Sequence, residues 1–201
     1  MSRSGIVGAV GIAAGAAAMV AVGARLAISG ELTLDVGWGR TRRPLGPFGV
    51  DIAAPQQVVF TVIADPYLGR TPHAMAAKLH VIERGSDMVL AAHHTHLNKR
   101  LRATTVETVR FARPDLVAFR LVRGPVPEVT ETFQLSATET GTRLDYTGEM
   151  GTDLWALGRW AGRYAAVKWE STVRSSLEDI KVEAERRAVR GRASDHEARS
   201  R

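Results

Sequence analysis

The sequence predicts an α+β fold in which a curved, seven-stranded antiparallel sheet wraps around a long C-terminal helix, preceded by an N-terminal transmembrane helix. Three observations predict it. Between Lys78 and Met150 apolar side chains recur with a period of two in six consecutive segments separated by short turns. From about Asp153 to Ala188 the period becomes three or four and no proline intervenes. Ahead of both, Gly5–Ala24 is a 20-residue run with no charged or strongly polar side chain.

As a helix, that run spans about 30 Å, the thickness of a bilayer's hydrocarbon core. Thirteen of its residues are Ala or Gly, so it is only weakly hydrophobic. A single membrane-spanning anchor over residues 1–28 fits it. So does a cleaved signal peptide ending at Val22-Gly23-Ala24, and so does a buried helix. Gly8, Gly11 and Gly15 lack the preceding strand that a dinucleotide-binding loop needs. Gly11 and Gly15 also match a helix-dimer spacing. Arg25, Arg40, Arg42 and Arg43 follow the run and Arg3 alone precedes it, which orients the C-terminal part toward the cytoplasm. Residues 29–49, rich in Gly, Pro and Arg, read as a linker, so the folded domain is expected over 50–188 and a basic, disordered tail over 189–201.

Val50–Ala53 reads as a short first strand, and Pro55 stands where proline opens a helix. Val58, Val59, Val62 and Ile63 give that helix its apolar face, with Asp65-Pro66 as its end and a second short helix over 66–72. Strands follow at Lys78–Arg84, Met88–His96, Arg102–Phe111, Leu116–Arg123, Glu128–Ala137 and Thr142–Met150. The turns are Gly85-Ser86-Asp87, Leu97–Leu101, Arg113-Pro114-Asp115, Gly124–Pro127 and Glu139-Thr140-Gly141. Short connections make these strands an antiparallel meander. In the last segment Ala161, Ala165, Trp169, Val173, Leu177, Ile180 and Ala184 form the stripe that covers the sheet's apolar face.

Composition narrows the function classes. The chain is 201 residues long with a net charge of +6 and no cysteine. Disulfide scaffolds, thiolate metal sites and cysteine nucleophiles are therefore excluded. The positive charge lies in the flanks. Residues 1–50 carry five arginines against two acids, residues 181–201 seven basic residues against four acids, and residues 51–180 fifteen of each. A neutral body does not suit a nucleic-acid partner; basic flanks beside an apolar run suit anionic lipid head groups. No Walker loop, G-x-S-x-G or H-E-x-x-H motif occurs.

Val50-Asp51-Ile52-Ala53-Ala54-Pro55, then Val58-Val59-Phe60 and Val62-Ile63-Ala64-Asp65-Pro66, form a strand–proline–helix opening. Together with Glu107–Phe111, Glu131–Leu135 and Gly141–Leu144, that opening resembles the START-like (SRPBCC) helix-grip superfamily. The branch it resembles most is polyketide cyclase/dehydrase and lipid transport. The likeness covers about 50–188. It implies a cavity between sheet and C-terminal helix and no fixed catalytic motif, so chemistry must be read from the residues themselves.

Alternation along each strand assigns the residues facing that cavity. Val129, Phe133 and Leu135 share a face with Glu131. Thr105, Val109 and Phe111 share one with Glu107, and Leu144 and Met150 share one with Tyr146. Val117, Phe119 and Leu121 form an apolar face, while Met88, Leu90 and Ala92 lead to His94 and His96. A carboxylate on an apolar face is costly unless paired. Glu107 and Glu131 are thus either structural partners of an Arg or Tyr, or groups that hold or protonate a ligand. Tyr146 is core or a hydrogen-bond donor to ligand. His94 and His96 have the spacing of a metal pair but no local third ligand, so no metal and no cofactor is expected. Trp169 belongs to the cavity wall, and Trp155 and Trp160, at the helix start, face lipid or gate the cavity.

The function expected is membrane-anchored binding, including transport, of a hydrophobic small molecule or lipid. Candidate ligand contacts are Glu107, Glu131, Tyr146, His94, Phe119, Phe133 and Trp169. The rivals are a polyketide cyclase/dehydratase-type enzyme using the cavity's Glu, Tyr or His as acid and base, and an interaction or chaperone-regulating domain with a filled cavity.

Overall fold

The computed structural model describes residues 22–23, 25–27, 29–33, 35–69, 77–98 and 101–199, with the backbone alone at 97, 98, 101 and 194–199. Seven strands form one antiparallel sheet: β1 (Thr41–Ile52), β2 (Leu79–Arg84), β3 (Met88–Asn98), β4 (Leu101–Ala112), β5 (Leu116–Arg123), β6 (Glu128–Thr138) and β7 (Gly141–Thr152). Helix α1 (Gln56–Leu68) follows β1, and helix α2 (Trp155–Arg199) closes the chain. The six consecutive strands pair in sequence order, and β1 returns beside β7, giving β1-β7-β6-β5-β4-β3-β2. This is the helix-grip arrangement, with α2 packed against β1, β7 and α1.

Three boundaries differ from the sequence reading by three residues or more. β1 starts at Thr41, so most of the second half of the expected 29–49 linker is sheet. Its Pro44 and Pro47 hid it, yet prolines are tolerated on an edge strand. β1 is such an edge, pairing only with β7 and breaking register between Leu45 and Phe48. Helix α1 runs through Pro66 to Leu68 instead of ending at Asp65; a proline in the last turn removes only one helix hydrogen bond. Of the short helix expected over 66–72, residues 66–68 belong to α1 itself, Gly69 caps it, and 70–72 lie outside the described residues. Helix α2 continues through Arg199, so residues 189–199 are helical and not a disordered tail.

The expected anchor, Gly5–Ala24, lies almost wholly outside the described residues. Among those described, no helix is long and apolar enough to cross a membrane. Helical residues 25–27 lead to Gly30, whose positive φ ends the turn. Thr33, Val36, Gly37 and Arg40 are then tied down at one end of the sheet. The Thr33 hydroxyl donates to the Gly124 carbonyl (3.0 Å). Buried Asp153 accepts from the backbone N–H of Val36 (2.9 Å) and Gly37 (2.8 Å) and from Arg40 Nε (2.8 Å).

The core lies between the sheet's concave face and the two helices. Val59, Phe60, Ile63 and Ala64 of α1 meet Val173, Leu177, Ala184 and Ala188 of α2, above Val89, Val109, Val117, Val129, Leu135 and Leu144 of the sheet. The stripe on α2 matches the sequence reading from Val173 onward. Nearer the helix start Gly162 and Ala166 are buried and Ala161 is exposed, a shift of the stripe by one residue, or about 100°.

Candidate functional site

Cross-strand register builds one aromatic row across the concave face. Phe48 of β1 lies opposite Tyr146 of β7, Tyr146 opposite Phe133 of β6, Phe133 opposite Val117 of β5, and Val117 opposite Phe111 of β4. The rings touch in sequence: Phe48 stacks on Tyr146 (5.6 Å), and Tyr146 meets Phe133 edge-on (5.3 Å). Phe133 meets Phe119 (5.4 Å), and Phe119 meets Tyr67 of α1 (6.1 Å). One inner row along, Gly148, Glu131, Phe119 and Val109 lie side by side. Period-two alternation thus places both expected carboxylates inside, with Glu131 8% and Glu107 6% exposed.

Glu131 is held from sheet and helix together. The Tyr146 hydroxyl donates to its Oε1 at 2.7 Å, and Trp169 Nε1 of α2 donates to the same oxygen at 2.8 Å. Gly148 makes the first bond possible: a Cβ there would lie 2.9 Å from the Tyr146 hydroxyl oxygen. The partner is therefore a tyrosine, one of the two expected kinds, joined by a tryptophan that alternation alone does not reveal. Burial first, and the Glu107 carboxylate second, push Glu131 up to about 7, against the downward pull of the Trp169 and Tyr146 hydrogen bonds. With Oε1 accepting two bonds, the other oxygen is the one suited to carry the proton.

Glu107 has a different partner. His93 Nδ1 lies 3.1 Å from Glu107 Oε2, an ion-pair contact when the imidazole is protonated. Burial pushes Glu107 up, but the His93 charge and a hydrogen bond with Thr105 outweigh it, and its carboxyl sits below the usual range. Burial likewise lowers His93, but Glu107 outweighs it and the imidazole sits above its ordinary value. On the far side of the ring, His93 Nε2 is 3.0 Å from the Tyr67 hydroxyl, to which a protonated imidazole donates. Burial and then the charges of Glu107 and Glu131 raise Tyr67, so its phenol stays protonated.

His93, and not His94, is thus the interior histidine. On β3 the inner residues are Val89, Ala91 and His93, whereas His94 faces outward and its Nδ1 meets Thr104 Oγ1 at 3.1 Å. The segment Met88–Ala92 is apolar on both faces, so alternation gives no choice of register there. Among the described residues, no group of three or more His, Asp or Glu is placed to hold a metal ion. Phe119, Phe133, Tyr146 and Trp169 all lie where the sequence placed them, on the interior surface. Tyr67 and His93 were missed. Tyr67 continues the buried face of Val59, Phe60 and Ile63 on α1, but that spacing marks burial and not a hydroxyl's partner.

The interior so built is apolar and aromatic, with two separate polar stations. One is a carboxyl able to exist as neutral acid or anion near neutral pH, and the other is an imidazolium–carboxylate pair capped by a phenol. Phe119 and Trp169 both point inward and pack, partly buried, against the core beside Glu131.

Residues 49–185 match the family described as Polyketide cyclase / dehydrase and lipid transport. No curated protein matches the chain. Among solved structures it is similar to the Zhui aromatase/cyclase from Streptomyces sp. R1128, at 20% identity and a TM-score of 0.58, covering 73% of this chain and 96% of that one. It is similar to TTHA0849 from Thermus thermophilus, at 17% identity and a TM-score of 0.53, covering 72% and 94% of the two chains. The di-domain ARO/CYC StfQ from the steffimycin biosynthetic pathway matches at 18% identity and a TM-score of 0.55, over 75% of this chain and 52% of that one. At these identities the likeness shows the fold.

Proposed function

Since the chain belongs to the polyketide cyclase/dehydrase and lipid transport family, we propose that it binds a hydrophobic small molecule carrying an aromatic or fused-ring portion and at least one oxygen. The site is the space between sheet and α2, and the N-terminal apolar run holds the protein at a membrane. The observation that carries this reading is Glu131, a buried carboxyl with one oxygen held by Tyr146 and Trp169 among Phe119 and Phe133. Affinity comes from apolar area removed from water, about 25 cal/mol per Å². Orientation comes from the Glu131 acid meeting a carbonyl or hydroxyl oxygen. The His93–Glu107 pair, with the Tyr67 phenol, offers a second polar contact at the other end of the aromatic row.

The test is titration of the full-length protein with a fused-ring phenol, followed by quenching of tryptophan fluorescence, with native mass spectrometry for stoichiometry. Saturable one-to-one binding that weakens at least several-fold in Glu131→Gln is expected. No saturable binding of any aromatic or acyl-chain probe would remove this reading.

The pKa of Glu131, at about 7, favours a second reading. A carboxyl poised there suits general acid–base catalysis at neutral pH. In a cyclase or dehydratase, Glu131 would protonate a leaving hydroxyl or a carbonyl, and His93, oriented by Glu107, would provide the second proton-active group. The two readings separate on turnover: Glu131→Gln then abolishes product formation while leaving binding measurable.

A further inference from the structure

Helix α2 carries two apolar stripes, and the core uses only one. In its first four turns, Gly162, Ala166 and Trp169 face inward. On the opposite side Leu157, Trp160, Tyr164 and Val167 recur at steps of three and four and point into solvent, with Trp160 68% and Tyr164 71% exposed. No acidic residue occurs between Asp153 and Glu170, whereas Arg159, Arg163 and Lys168 flank the outer stripe. Trp38, 71% exposed, adjoins the helix start, where its carbonyl accepts the Leu154 N–H. At the same end of the sheet a cleft of about 270 Å³ is lined by Arg25, Arg102 and Arg123 together with Ser29, Thr104 and a single carboxylate, Glu31.

We propose that this end of the domain docks on an anionic bilayer surface, with the outer stripe of α2 at head-group depth and the arginine cleft against lipid phosphates. Tryptophan and tyrosine favour the boundary between water and hydrocarbon, where ring and polar atom are both satisfied. Cationic side chains beside them draw anionic lipid within a Debye length. Residues 25–27, which follow the Gly5–Ala24 run in sequence, lie at this end of the sheet, where Arg25 lines the cleft. A protein partner of ordinary chemistry would leave a three-cation, acid-free aromatic face without a specific reason. The inference deepens the membrane part of the functional reading, and its test separates the two.

The chain has no cysteine, so one engineered cysteine carries an environment-sensitive fluorophore at a chosen site. The full-length protein is labelled at Tyr164 (Tyr164→Cys), with Glu178→Cys as the exposed control farther along α2. It is mixed with vesicles of equimolar phosphatidylserine and phosphatidylcholine. The expected result is a blue shift at Tyr164, quenched by a lipid-borne nitroxide, with no change at Glu178. Arg159→Glu with Arg163→Glu should reduce that shift at least several-fold. Co-sedimentation with the Tyr164 label still in water would overturn the docking face while keeping the N-terminal attachment. Shielding without vesicles would assign the stripe to residues 1–21, and shielding that grows with protein concentration to a second copy; either overturns it. Failure to co-sediment at all would overturn both.

Discussion

Replacing Glu131 by Gln tests the interior directly, because the amide keeps the shape and the Oε1 acceptor while losing the ability to ionise. Between the ordinary carboxyl value of 4.5 and about 7, the folded protein keeps a proton on Glu131 that the unfolded chain has released. The folded state binds more protons in that window, so wild-type stability falls as pH rises through it and levels off above pH 7. At about 1.4 kcal/mol per pH unit, the total is on the order of 3 kcal/mol. Below pH 4.5 neutral Glu131 and Gln should be nearly equivalent. The stability difference should then grow with pH until the variant is the more stable by about 3 kcal/mol at pH 8. The Glu107–His93 pair is present in both proteins and largely cancels in the difference. Urea unfolding of the full-length chain, read by tryptophan fluorescence at steps from pH 4 to pH 8, measures it. A difference that stays within about 0.5 kcal/mol across the range, or that shrinks as pH rises, would show that Glu131 is not held neutral by its surroundings.

Glu107→Gln removes the charge partner of His93. The expected loss at neutral pH is on the order of 2 kcal/mol, below the roughly 3–5 kcal/mol of a fixed-charge pair because imidazole can shed its proton; the His93 ring should then titrate lower by NMR, since burial is left unopposed by Glu107. Trp169→Phe deletes one donor to Glu131, so the pH at which wild-type stability levels off should move above 7, and an unchanged profile would argue against the Trp169 bond. Gly148→Ala should act in the same direction by displacing the Tyr146 hydroxyl, and infrared detection of the protonated carboxyl at neutral pH checks it.

Period-two alternation sufficed where one face of a strand is clearly polar. In β6 the outer residues are Thr130, Thr132, Gln134 and Ser136, so Glu131, Phe133 and Leu135 could only be interior. β4, β5 and β7 gave Glu107, Phe119 and Tyr146 by the same argument. It failed in β3, where Met88–Ala92 offers apolar residues to both faces and a slip of one residue exchanges His93 for His94. It failed again at Thr41–Gly49, where two prolines and two glycines look like a connection but form an edge strand. The pairings themselves were not legible, because Trp169 reaches Glu131 across 38 positions of sequence, and Tyr67 reaches His93 across 26. Such contacts follow from how α1 and α2 seat on the sheet. Local spacing carries no record of them.

The segment between residue 30 and β1 behaves as a clamp, and this alters how tethering would work. A flexible leash lets a domain sweep a volume set by the square root of its length. Here Thr33 is fastened to Gly124, and Val36, Gly37 and Arg40 to Asp153. Only eight residues separate Ala24, the end of the apolar run, from Thr33. A chain held through its N-terminal run would keep one orientation and one height above its support, and its reach would be close to zero. Its interior could exchange cargo only with what lies within the footprint of the domain itself. Inserting Gly/Ser residues ahead of residue 30 would change encounter geometry without touching the fold.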